Sequence, residues 1–242
     1  MTAHPRTPRN IPEGDTPRPG VPRTGSAVAV PPVRGHDSLL RLSLRLQPRD
    51  CVLALLLDEH RVLTAEQITA ILFHSPRTCR NRLDTLRRMS FVDRFTPTRH
   101  GQRLGPHWVP GPLSARYAAL ARDGRPPTAK ALRDRQDTVV SSRHLAHTVG
   151  TNQFFVDLIS HARRTPGCRL ARWWSTATAH GKLGSQLSPD GHGVWREHDH
   201  EVAFFAEYDT GAMSHPQLAT KLSTYRRFLD QGGPPFPVLF WL

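Results

Sequence analysis

A chain of 242 residues with 38% hydrophobic content has room for one large core or two small ones. The formal net charge of +13 points to a polyanionic partner, most often nucleic acid; the plainer reading is an arginine-rich codon bias, since lysine stands only at 130, 182 and 221. Cys51, Cys79 and Cys168 lie far apart without C-x-x-C spacing, the longest apolar run (CVLALLL) is too short for a bilayer, and no G-x-x-x-x-G-K-[ST] loop occurs. These features argue against a disulfide framework, a structural zinc site, a membrane span and a P-loop helicase, and with no signal-peptide apolar core they lead to the expectation of a cytoplasmic protein.

Residues 1–36 are dense in Pro, Arg, Gly and Thr and poor in large apolar groups, so a disordered tail is expected there. Apolar periodicity then begins. Pro48 marks a helix start, followed by Val52, Leu53, Leu56 and Leu57 at helical spacing. In LTAEQITAILF, Thr64 and Gln67 form an S/T-x-x-E/Q capping box ahead of a buried stripe of Ile68, Ile71 and Leu72. Ser75 is placed to cap a third helix opened by Pro76. Its Cys79, Leu83 and Leu86 share one face, and Arg77, Arg80, Asn81, Asp84, Arg87 and Arg88 occupy the others. FVDRFTPTRHGQRLGPHWVPG reads as two short strands joined by a basic, Gly-containing loop.

Helix, helix, arginine-rich helix and β-hairpin is the order of a winged helix–turn–helix, assigned here to residues 45–112. That order presents Arg77, Arg80, Asn81, Arg87 and Arg88 to the major groove and phosphates of double-stranded DNA, with Arg99 and Arg103 of the hairpin reaching the backbone. The alternative is a three-helix domain whose charged face binds protein. Residues 113–138 mix a short helical stretch with Gly, Pro and charges and read as a connector. From 139 onward, Val140, Leu145, Val149, Phe155, Leu158 and Ile159 recur at helical spacing as far as Pro166-Gly167. His144 and His147 sit one turn apart within this run, a spacing that suits a ligand pair but more often marks a helix surface or packing.

CRLARWWSTATA (168–179) reads as a strand, and LSPDGHGVWREHDHEVAFFAEYDTG as a hairpin turning near 198–200. With that turn, Asp190 pairs across from about residue 208 and lies beside Glu207 and Asp209, which alternation puts on one face of the second strand. Three acids at one sheet edge form a candidate site for Mg²⁺ or Mn²⁺; a solvated strand end is the other explanation. His192, His198, His200 and Glu201 surround the turn and suggest zinc, although an exposed His-rich turn is the commoner arrangement. An amphipathic helix (Leu218, Leu222, Tyr225, Phe228, Leu229) and an apolar strand, PPFPVLFWL, follow.

Strand, hairpin, helix and strand with acids at the hairpin match the core of the PD-(D/E)-x-K nuclease-like fold. The strand position that carries lysine there is Asp209 here, and Lys221 on the following helix is the nearby substitute. The winged-helix half, HWVPG, RHLAHTVGTNQFF, RWWS, SPDG, FFAEYDTG and KLSTY together resemble the replication-relaxation family of plasmids and integrative elements over residues 48–242. The resemblance implies an α+β protein: a winged helix–turn–helix followed by an α/β restriction-endonuclease-like core over 139–242, truncated at the C-terminus where relatives continue. It implies DNA binding in plasmid replication, relaxation or transfer, with other replication or transfer proteins as partners. If the core is active, Asp190, Glu207 and Asp209 hold the metal and Lys221 stabilises charge on the scissile phosphate. Two alternatives keep the DNA binding: an inactive accessory or regulatory protein with a nuclease-like interaction domain, and a winged-helix regulator with an unrelated C-terminal domain.

Overall fold

The structure, a computed structural model, describes residues 45–184, 186–209 and 214–241. The tail expected over 1–36 lies outside the described residues. Helix α1 (Pro48–His60) opens on Pro48, and the Gln47 N–H donates to Asp50 Oδ2 at 2.6 Å. Its inward face differs from the one expected. Leu53, Ala54 and Leu57 are buried together with Asp50 and His60, whereas Val52 is 44% exposed. The stripe tolerates polar ends because both find partners: Arg82 pairs with Asp50, and the His60 ring stacks on Trp173 with centroids 3.6 Å apart.

β1 (Leu63–Thr64) leads into α2 (Ala65–Leu72). The capping box forms in both directions, with Gln67 N–H donating to Thr64 Oγ1 at 3.2 Å and Thr64 N–H to Gln67 Oε1 at 3.0 Å. α3 (Pro76–Arg88) starts at Pro76, but Ser75 makes no side-chain cap bond; the fixed φ of proline starts this helix without it. Cys79, Leu83 and Leu86 are fully buried, and all three cysteines are free.

β2 (Val92–Phe95) and β5 (His107–Pro110) pair antiparallel, and β1 adds to the other edge of β5. Between β2 and β5, β3 (Thr98–Arg99) and β4 (Gln102–Arg103) form a hairpin tip turned at His100-Gly101, both with positive φ. Two helices occupy the segment read as a connector. α4 (Pro112–Leu120) contributes Leu113 to the first core around Leu57, Ile68, Leu83, Phe91 and Trp108. α5 (Ala129–Val140) lies on the surface and buries Leu132.

The single helical run expected after residue 139 is broken. α5 ends at Val140, and α6 (Leu145–Ala162) starts anew after His144. β6 (Cys168–Ser175) is shorter than expected because the Ser175 hydroxyl accepts the Thr178 N–H at 3.3 Å and turns STATA into the start of α7 (Thr176–Leu183). β7 (Gly191–Glu197) and β8 (His200–Tyr208) form the expected hairpin, and after α8 (His215–Asp230) the chain returns in β9 (Val238–Trp241), parallel to β8. The sheet runs β6-β7-β8-β9. Alternation along β8 sends Phe204 and Ala206 to α6, where they meet Phe155, and Phe205 to α8, where it meets Tyr225 and Phe228. Leu222 and Leu229 of α8, expected inside, are exposed, because Tyr225 and Phe228 set the inward stripe. The described residues are thus mixed α+β, with eight helices and three small sheets.

The two halves share a polar seam. Asn152 Nδ2 donates to the Val62 carbonyl at 2.9 Å and Gln67 Nε2 to the Val149 carbonyl at 2.9 Å, so α6 is pinned beside α2. Glu59 Oε1 accepts the Ser175 N–H at 3.0 Å and its hydroxyl at 2.8 Å.

Candidate functional site

The tight turn at His198-Asp199 sets the hairpin register: Glu197 faces His200 and Gly191 faces Ala206. Asp190, immediately before β7, therefore comes beside Glu207, not beside residue 208 as a turn centred on 199 would have it. Glu207 is 1% exposed and, two residues after Phe205, lies on the side of the sheet covered by α8. One helical turn apart on α8, Lys221 and Tyr225 both reach it. The Lys221 ammonium is in ion-pair contact with Glu207 Oε2 and stands 3.7 Å from Asp190 Oδ2. The Tyr225 hydroxyl donates to Glu207 Oε1. From the other side of the sheet His147 of α6 places Nε2 3.0 Å from Asp190 Oδ1, and the Tyr208 N–H donates to Asp190 Oδ2 at 2.9 Å.

The two carboxylates differ electrostatically. Burial pushes the Glu207 carboxyl up to about 7, although Lys221 and Tyr225 pull the other way. Burial also works to raise Asp190, but bonds from His147 and the Tyr208 N–H, together with Lys221, outweigh it and hold that carboxyl below its ordinary value. The same hydrogen bond to Asp190 raises His147 against the effect of its own burial. Burial, with Glu207 beside it, raises the Tyr225 phenol strongly. Glu207 Oε2 is buried, with the Lys221 ammonium as its partner.

Asp209 is half-buried one residue past β8, where its backbone N–H donates to the Trp241 carbonyl at 2.9 Å. Among the described residues no three His, Cys, Asp or Glu side chains stand together as a group able to hold a metal ion. The polar contacts that bind the cluster instead run from Asp190 and Glu207 to Lys221, His147 and Tyr225. Nor do the histidines around the hairpin turn form a site. His192 is buried against Trp174, Phe205 and Phe236, while His198, His200 and Glu201 are exposed and Glu201 pairs with Arg196. His144 is exposed and accepts a bond from Arg143, so it makes no ligand pair with His147.

On the first half, Arg77, Arg80, Asn81, Arg87 and Arg88 are exposed along α3, and Arg99 and Arg103 are exposed on the hairpin tip. Arg87 lies 3.5 Å from Asp93. Among the described residues no carboxylate pairs with Arg77, Arg80, Arg88, Arg99 or Arg103. Arg82 is the exception on α3, turned inward to the buried Asp50.

The family model for replication-relaxation proteins matches residues 55–235, a span that takes in the α3 arginines and every residue of the acid–lysine cluster. The chain belongs to the replication-relaxation family. Membership points to a part in the replication or relaxation of plasmid or mobile-element DNA. Comparison with curated proteins and with solved structures finds no further match. No helix among the described residues is long and apolar enough to cross a membrane.

Three members of the cluster are not legible as such in the sequence. Helical periodicity puts Tyr225 in the core, though its position four after Lys221 on a helix is a usable signal. His147 reads as surface or packing, and a lone helical histidine names no partner across a sheet. The backbone N–H of Tyr208 carries no sequence signal at all.

Proposed function

We propose that this family member binds double-stranded DNA of a plasmid or integrative element during replication, relaxation or transfer, and cuts a strand at the Asp190–Glu207–Lys221 cluster. On this reading residues 45–112 are a winged helix–turn–helix, with α3 in the major groove and Arg99 and Arg103 on the backbone, and the second half is a PD-(D/E)-x-K-like nuclease core. The observation that carries the reading is the convergence of Lys221 on both carboxylates from the following helix. It supplies the lysine that the strand lacks at Asp209.

The donor set suits a divalent ion held by two carboxylates and completed by water, since Mg²⁺ is commonly bound that way and Asp190 and Glu207 both turn an oxygen to the same ammonium. Asp190 and Glu207 would hold Mg²⁺ or Mn²⁺, which supplies Lewis acidity toward a phosphodiester and an activated water. The chain's own residues do the remainder. Tyr225 fixes one oxygen of Glu207, and His147 with the Tyr208 N–H fixes both oxygens of Asp190. The Lys221 ammonium, drawn from between the acids, meets the negative charge that grows on the phosphoryl oxygens. Because Glu207 titrates near 7, its ligating form increases as pH rises through that value.

The test is a nicking assay on supercoiled plasmid with Mg²⁺ or Mn²⁺, run beside thermal melts with millimolar Mn²⁺. Relaxed product and a metal-dependent rise in melting temperature support catalysis. If wild-type protein gave neither while still binding duplex, the inactive accessory reading would replace it. One observation favours that rival: Lys221 already stands as an ion-pair partner to both acids, a contact that serves structure equally well. DNA binding is tested separately by replacing Arg77, Arg80 and Arg87 with Ala. The log–log salt slope should flatten by about 0.9 for each phosphate that the variant no longer neutralises.

A further inference from the structure

A cavity of about 560 Å³ opens between the hairpin tip, the start of α6 and the ends of β8 and β9. Its wall includes Arg99 and Leu104 from the hairpin, Arg143 and Gly150 beside and on α6, and the rings of Tyr208 and Trp241. No Asp or Glu is among its lining residues. Its volume suits a nucleoside-sized group, and its chemistry is that of a stacking platform with cationic arms. Trp241, on the edge strand, is 41% exposed; its ring meets Phe154 at 5.4 Å between centroids, and it lines the same cavity as Arg99 and Arg143.

The cavity is joined to the cluster through one residue. Tyr208 offers its ring to the cavity while its N–H donates to Asp190 Oδ2 at 2.9 Å, and its ring meets the edge of His147 at 5.4 Å between centroids. That ring fits only because Gly150 has no side chain: a Cβ there would stand 2.3 Å from the ring carbons. A base stacked on Tyr208 is thus one residue from Glu207 and one backbone bond from Asp190.

We propose that this cavity receives an unpaired nucleotide of single-stranded DNA next to the bond to be cut, with the base against Tyr208 and Trp241 and its phosphates on Arg99 and Arg143. A pocket of this size takes one extruded nucleoside, not a stacked duplex. The proposal rests on the DNA-processing reading above and adds the strand form that the site takes.

The test measures fluorescence anisotropy of a labelled oligo-dT strand and of a labelled duplex, with wild type and with Trp241→Ala, Arg143→Ala, their combination, and Gly150→Ala. Each single aromatic or arginine substitution should weaken oligo-dT binding about 10-fold, while duplex binding through α3 stays unchanged. Gly150→Ala should weaken oligo-dT binding by displacing Tyr208, and Arg143→Ala, on the surface, covers the case in which that variant does not fold. Unchanged oligo-dT affinity in the Trp241→Ala/Arg143→Ala protein would overturn the proposal. So would wild type that binds duplex but not oligo-dT, an outcome that leaves the DNA-binding reading intact. Binding to neither would sink that reading and the proposal together.

Discussion

Glu59 and Glu207 are both largely buried acids beside a sheet end, and they behave in opposite ways. Glu59, at the seam, has its carboxylate wrapped by Thr178, the Ser175 N–H and the Ser175 hydroxyl, with Arg122 3.4 Å away. Burial acts to raise it, but those donors prevail and hold it below its ordinary value. Glu207 has one phenol donor and one ammonium, and burial prevails, lifting it to about 7. The balance of donors against desolvation decides whether a buried carboxylate is a fixed structural anion or one that exchanges protons near neutral pH. A seam needs the first kind; a site that must release and accept charge needs the second.

The largest expected effect breaks the second member of the pair. If the cluster cuts DNA as proposed, Lys221→Met and Glu207→Gln should each lower plasmid nicking by about 10²-fold or more, because each would remove a charge that the proposed transition state uses. Glu59→Gln should leave the nicking rate per folded molecule unaltered. Equal losses in all three would mean that Glu59 also serves the chemistry and that the contrast is false.

Stability should show the reverse order. Glu59→Ala leaves the Ser175 donors without their acceptor and should cost about 1–3 kcal/mol in denaturant melts. Glu207→Gln keeps an acceptor for Tyr225 and should change little at pH 5.5. Its sign at higher pH follows from the raised carboxyl: between 4.5 and about 7 the folded state holds a proton that the unfolded state has released. Glu207 therefore favours folding at low pH, and that contribution fades as pH rises through 7. Thermal melts should find Glu207→Gln gaining on wild type from pH 5 to pH 8; a constant difference would contradict the raised carboxyl.

A smaller effect sharpens the seam side. Burial against Trp173 drives the His60 imidazole down to about 3, so the fold holds it neutral while the unfolded chain protonates it below its ordinary 6.5. Stability tied to His60 is whole above 6.5 and falls by up to about 1.4 kcal/mol per pH unit on acidification toward 3. His60→Phe, which can keep the stack, should flatten that acid limb in melts between pH 6.5 and 4.5. An unchanged acid limb would show that another group governs it.

How much was legible depends on the range of the interaction. The Thr64–Gln67 box, the Pro48 and Pro76 helix starts, the buried face of Cys79, Leu83 and Leu86, and the hairpin at 198–199 are all local, settled within a few residues by backbone geometry and alternation. The pairing of Asp190 with Glu207 followed from that hairpin to within one residue, since antiparallel register is arithmetic once the turn is known. Where expectation failed, a distant partner or a local cap had intervened. Asp50 and His60 turned inward because Arg82 and Trp173 met them, and STATA became a helix because Ser175 capped it.

The sequence by itself determined that this chain carries an arginine-lined helix and hairpin, and two acids brought side by side by one tight turn, because periodicity, capping and register act over short stretches. Only the tertiary structure decided that Lys221 and Tyr225 come down on Glu207 from one face of the sheet while His147 reaches Asp190 from the other. It alone decided that Glu207 is buried deeply enough to titrate near neutrality. These depend on how α6 and α8 pack against opposite sides of one sheet, and desolvation, unlike a helix cap, has no local signature in the chain.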